Sequence, residues 1–179
     1  RQMCIRDRNT DEAYALIKEA DSIIFLGHGA SDTLYGSPQD GEFTVLINET
    51  NIQELLYGKR CFILACNSYE FCENYNLTSF IGFGNMPTGI VDVKIAMEAD
   101  TTFPSLEKED IDTYDAALVS LLIRAFNVAW LTDMEKLYSK IRLYANVEIG
   151  ECLINKPCKM FREVADLLQD FKNDCTYCP

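Results

Sequence analysis

Histidine occurs once in these 179 residues, tryptophan once and proline five times, and lysine plus arginine number 16 against 28 aspartates and glutamates. With a net charge of -12 and no run of basic residues, the chain has little with which to neutralise consecutive phosphates, which argues against nucleic-acid binding. A long apolar run is missing as well. The best stretch, Ala116 to Leu131, is broken by Ser120, Arg124 and Asn127 and is too short to cross a bilayer comfortably, so no membrane partner is expected. The beginning of the chain lacks the order of charged region, apolar region and cleavage site that marks a secretory leader. There is no internal repeat and no low-complexity segment. What is present is 48% hydrophobic and 25% charged residues, the balance of one globular domain. Eight cysteines would suit a disulfide scaffold in a secreted protein. The apolar content suffices for an ordinary core, however, so the expectation is reduced thiols in the cytoplasm.

Arg1 to Arg8 carry no periodicity and look like a translated sequencing-adapter remnant of the kind found at the ends of metagenomic reading frames, so they are set apart as a non-native leader. Beyond them, Asn9 and Glu12 form a capping-box pair, and Ala13, Leu16, Ile17 and Ala20 follow a helical stripe, predicting a helix over 10–20. Ser22 to Leu26 is a short continuous apolar run, the signature of a strand buried on both faces of a parallel sheet. It stops at Gly27-His28-Gly29. Ala30 to Glu42 reads as a surface loop, and Phe43 to Ile47 as a minor strand or extended segment. Thr50 and Gln53 form a second capping box, opening a short helix that Gly58 closes, before the strand Cys61 to Ala65. Thr78 to Phe83 is a third strand. The second half reads as helical: Asp112 to Leu131, apolar almost all round and therefore buried; a helix capped at Thr132 to Glu135 with Leu137, Tyr138, Ile141 and Tyr144 on one face; and an amphipathic helix over 157–171. The acidic cluster Glu107, Glu109, Asp110 and Asp112 reads as a solvated loop and helix cap.

Two strands joined through a helix form a crossover and run parallel, so their carboxyl ends share one sheet edge, where ligands and catalytic groups collect in open α/β sheets. His28 and Cys66 each stand just past such an end. The glycines around His28 let the backbone approach a bound group and leave the Gly29 N–H available to it. Taken alone, His28 could be a surface-turn residue and Cys66 a small buried hydrophobe. Taken together, a thiol near an imidazole is a potential nucleophile.

An apolar block ending in His-Gly, here Ile23-Ile24-Phe25-Leu26-Gly27-His28-Gly29, followed by one ending in Ala-Cys, here Phe62-Ile63-Leu64-Ala65-Cys66-Asn67-Ser68, resembles the caspase-like cysteine peptidases. Among these it looks closest to the bacterial CHAT-type domains, in which Ser or Thr follows the cysteine after one residue. The resemblance implies a three-layer α/β sandwich with a mostly parallel central sheet, here lacking its first strands. It further implies a peptidase core over 9–147, truncated at its N-terminus, and a helical, cysteine-containing extension over 148–179. By the same resemblance Cys66 is the nucleophile, His28 the general acid, and the N–H groups of Gly29 and Cys66 the oxyanion donors. The substrate is then a protein or peptide, no cofactor is required, and an activating partner or adjacent domain is expected.

The Gln and Gly that flank the caspase cysteine are absent, so aspartate specificity is not carried over. Asp32 and Asp92, acidic groups close to the proposed cleft, are candidates for binding a basic substrate side chain, with loop stabilisation the alternative for Asp32. Cys152, Cys158, Cys175 and Cys178 flank the last helix, and the final pair has zinc-knuckle spacing, which makes the four weak metal candidates against free thiols. Two other readings stand beside the peptidase: a catalytically inactive interaction module of the same fold, and a tetrapyrrole chelatase-like domain. The chelatase reading leaves Cys66 unexplained and lacks a second histidine.

Overall fold

The computed structural model describes residues 10–36, 43–87 and 105–179. These form two compact units: Arg1–Gly84 with Cys175–Pro179, and Asn85–Asp174. Residue 147, expected to end the core, lies within a continuous helix, Met134–Asn155, and the compact units divide at Gly84 and Asp174. The Asn9 cap falls outside the described residues.

In the first unit, α1 (Thr10–Glu19) buries Ala13 and Ile17. Its end is held by Lys59, whose Nζ donates to the carbonyls of Ile17, Lys18 and Ala20 at 2.7, 2.9 and 2.7 Å, satisfying acceptors that the helix itself leaves open. The strands β1 (Ser22–Leu26) and β5 (Arg60–Leu64) pair in parallel, Ser22 opposite Arg60 through Leu26 opposite Leu64. β6 (Phe80–Gly82) adds in parallel to β5, and β7 (Thr176–Cys178) runs antiparallel to β6, giving the order β1-β5-β6-β7. The sheet is thus mostly parallel within an α/β unit.

β1 is not buried on both faces. Ile23 and Phe25 pack on the core, whereas Ile24 and Leu26, whose side chains alternate to the opposite face, are exposed. A second, antiparallel sheet of order β2-β3-β4 lies between β1 and β5 in the chain: β2 (His28–Gly29), β3 (Leu34–Tyr35) and β4 (Val45–Ile47). The stretch read as a surface loop therefore contains a strand, and Leu34 within it is fully buried opposite Ile47.

The helix α2 (Ile52–Leu56) is not opened by a Thr50–Gln53 box. Thr50 donates through N and Oγ1 to Asn48 Oδ1, while Asn51, the N-cap, donates through Nδ2 to Tyr14 Oη and to the Leu46 carbonyl, both at 3.0 Å. Tertiary partners outcompete the local cap. Gly58, at φ 72°, ends the turn as expected, since the left-handed region there suits a residue without Cβ. A further helix, α3 (Ser68–Asn74), connects β5 to β6 and was not foreseen: only seven residues long, it is too short for a helical stripe to stand out. Its Phe71 and Cys72 join Ile17, Leu55, Leu56, Cys61, Ile63 and Phe80 in one core.

The second unit holds α4 (Lys108–Val128), α5 (Met134–Asn155) and α6 (Phe161–Asp174). α4 starts earlier than read and is not buried all round. Ile111, Tyr114, Leu118, Leu121 and Ala125 face inward while Val119 and Ile123 stay exposed. Asp133 caps α5, accepting from Lys136 N at 3.1 Å, and Leu137 and Ile141 are buried, whereas Tyr138 and Tyr144 are only half-buried. Asp110 is not solvated. It is buried, with its carboxylate accepting from Glu107 N at 2.9 Å and Met160 N at 3.0 Å. Among the described residues no helix is long and apolar enough to cross a membrane.

Candidate active site

Register alone brings His28 and Cys66 to one edge. Leu26 pairs with Leu64, and Gly27 N donates to the Leu64 carbonyl at 3.1 Å, so His28 and Cys66 each stand two residues beyond the same rung, at the carboxyl end of the parallel pair. The two segments then touch. A Cβ at Gly29 would stand 2.8 Å from the Cys66 carbonyl oxygen and 2.9 Å from Ala65 Cβ, both too close for any real side chain. Gly29 is what permits the approach.

The hairpin orients the donor at Gly29. Ala30 N donates to the Thr33 carbonyl at 2.8 Å, which makes Gly29 and Leu34 the next, non-hydrogen-bonded pair of an antiparallel ladder. The Gly29 N–H is accordingly turned away from β3.

Cys66 is half-buried at the exit of β5. The chain turns there through Asn67 in the left-handed region, φ 55°, a conformation that Asn tolerates better than most residues, and enters α3. Ser68 locks this turn. Its fully buried hydroxyl donates to the Ile63 carbonyl at 2.7 Å and accepts from Phe83 N at 2.8 Å, while Asn67 N and Tyr69 N donate to Gly84 and Phe83 carbonyls at 3.0 Å. Ser68 thus knits the cysteine turn to the ends of both β5 and β6. The serine following Cys66 after one residue was noted only as a family likeness; its structural task is this brace.

The imidazole of His28 is exposed and lies against the ring of Phe43, centroids 4.5 Å apart. Phe43 also approaches Tyr35 at 6.0 Å. Neither aromatic stands out in the sequence, because simple alternation puts Phe43, Val45 and Ile47 on one face, and only the register shift against β3 parts the exposed Val45 from the buried Ile47.

Cys61 and Cys72, in the same core as the strand that carries Cys66, are buried where Cys66 is half-buried. Desolvation pushes the Cys61 thiol up to about 12 and raises Cys72 further still, so both are protonated at neutral pH. Asp32 is exposed at the tip of the β2–β3 hairpin, where its backbone carbonyl accepts from Tyr75 Oη at 2.9 Å. It is not a carboxylate buried at the base of a pocket, because a two-residue hairpin tip projects into solvent. Asp92 lies outside the described residues.

Among the described residues no group of three or more His, Cys, Asp and Glu side chains is arranged to hold a metal ion. Cys152 donates to the Phe161 carbonyl at 3.0 Å, and Cys158 bonds Asp110 and Thr113, with burial and the adjacent carboxylate raising its thiol to about 11. Cys175 is buried just before β7 and Cys178 is half-buried at its last position.

No family model matches the chain, and neither curated proteins nor solved structures are similar to it.

Proposed function

We propose that the chain is a caspase-like cysteine endopeptidase acting on protein or peptide substrates through Cys66 and His28. The observation that carries this reading is the shared rung: paired strands end together at Leu26 and Leu64, and the His-Gly and Cys segments beyond them meet at Gly29. Cys66, as thiolate, attacks the scissile carbonyl, and the oxyanion is held by the N–H groups of Gly29 and Cys66. His28 delivers a proton to the leaving amine. Water then cleaves the thioester, releasing the acid product and restoring the thiol. The three-layer caspase-like arrangement of the resemblance belongs to this proposal, as does a reducing, cytoplasmic setting that protects the nucleophile from oxidation.

The test is covalent labelling of the full chain with peptidyl acyloxymethyl ketones carrying Arg, Lys, Asp or Leu, followed by mapping of the modified residue. Cys66 is expected to react ahead of Cys61 and Cys72, whose raised thiols are buried. Cys66→Ala should abolish labelling, and His28→Ala should slow peptide cleavage by roughly 10²-fold or more. Labelling of Cys61 or Cys72 first, with Cys66 untouched, would overturn the assignment and favour an inactive module of the same fold.

A further inference from the structure

The small sheet has two unlike faces. Leu34 and Ile47 stand opposite each other in the core, and His28 and Tyr35, one position removed along their strands, pair on the outer face; the register shift between Leu34 and Tyr35 packs Leu46 as well as Ile47 on the core and leaves Val45 opposite Tyr35, in one row across three strands. Phe43 completes the row with its ring on His28. This face is open, with Phe43 49% and Val45 45% exposed. Among the described residues of the row, the imidazole and the Tyr35 phenol are the ionisable groups.

We infer that this row is the specificity wall of the site, and that it takes an extended peptide with a large apolar side chain, such as Leu, Met or Phe, beside the scissile bond. The inference rests on the peptidase reading above. Any leaving group that receives a proton from His28 must come to its ring, and among the described residues that ring lies beside Phe43 and Tyr35, with Val45 next along. A substrate side chain adjoining the reacting bond therefore meets carbon. An Arg or Lys set there would lose water without gaining a carboxylate from the row, since Asp32 sits exposed on the hairpin tip. His28 itself marks the occupant as substrate, because the imidazole is part of the apolar patch.

Because His28 is the only histidine, isotopic labelling of histidine gives a single imidazole signal for the full chain. In a Cys66→Ala background, a peptide centred on Phe should shift that signal and saturate, whereas the same peptide with Arg in its place should not. Adding Phe43→Ala should weaken Phe-peptide binding by about tenfold or more. In parallel, the unsubstituted chain should cleave a peptide library next to Leu, Met or Phe. Equal response of the His28 signal to both peptides, or cleavage preferring Arg or Lys, overturns the apolar wall while leaving the Cys66–His28 peptidase standing. Binding of the Phe peptide without cleavage of any library member overturns the peptidase reading and the specificity role with it, and leaves the row as an apolar peptide-binding face. A concentration-dependent His28 shift with doubling of the solution mass in the absence of peptide gives the face to a second copy of the chain and overturns the substrate role.

Discussion

At position 29 a single methyl group separates a working arrangement from a broken one. Alanine there would put its Cβ 2.8 Å from the Cys66 carbonyl, a backbone atom that cannot swing aside, so either the hairpin or the cysteine turn must move. Gly29→Ala is expected to cost about 1–3 kcal/mol of stability, measured by denaturant unfolding. It should also reduce kcat/KM on the order of 10²-fold, since a displacement near 1 Å costs that much in a positioned reaction. A variant with undiminished activity would show that the Gly29 approach plays no part in the chemistry. At this scale the sequence was informative about His28, Cys66 and Gly29, because glycine flanks and strand exits are local signals. It was silent on Phe43, whose place on the imidazole depends on a hairpin register, and it left Asp32 between a pocket and a loop role, a choice that turns on the exposure set by the turn that carries it.

Among the elements, the start of α4 is held by a carboxylate rather than by its apolar face alone. Burial acts to raise the titration of Asp110, but hydrogen bonds from Glu107 N and Met160 N, with the Cys158 thiol and Lys159 adding to them, hold it below the usual aspartate range. A group depressed in the folded state stabilises above its unfolded pKa, about 3.9, and that contribution is lost as pH falls through the lower folded value. Acid should therefore weaken the helical unit below about pH 4 by this route. Asp110→Ala should lower stability at pH 7 by about 2 kcal/mol and flatten the acid limb of the profile, as measured by helical circular dichroism across urea and pH. An unchanged acid limb in the variant would assign the acid sensitivity to other groups. The sequence marked this region as acidic and as a cap. It could not mark Asp110 as buried, because the Met160 N–H that it receives comes from fifty residues away.

For the whole molecule, the last five residues belong to the first unit and not to the helices that precede them. β7 covers β6 through Phe80–Cys178, Ile81–Tyr177 and Gly82–Thr176, and Cys175 is buried. Deleting residues 175–179 should strip amide protection from β6 in hydrogen exchange while leaving α4, α5 and α6 protected, since these lie in the other compact unit. Equal loss of protection in both units would show that they do not unfold separately. The sequence by itself determined the elements whose signal is local: β1 and β5 from continuous apolar runs, α1 and α6 from stripes at helical spacing, and the glycine exits that carry His28 and Cys66. Tertiary structure decided which strands became neighbours, and with that nearly everything about the site. Apolar runs report that a strand is buried without naming its partner, so the exposed face of β1, the β2-β3-β4 sheet, the Ser68 brace and the return of β7 to β6 all depend on contacts between residues far apart in the chain.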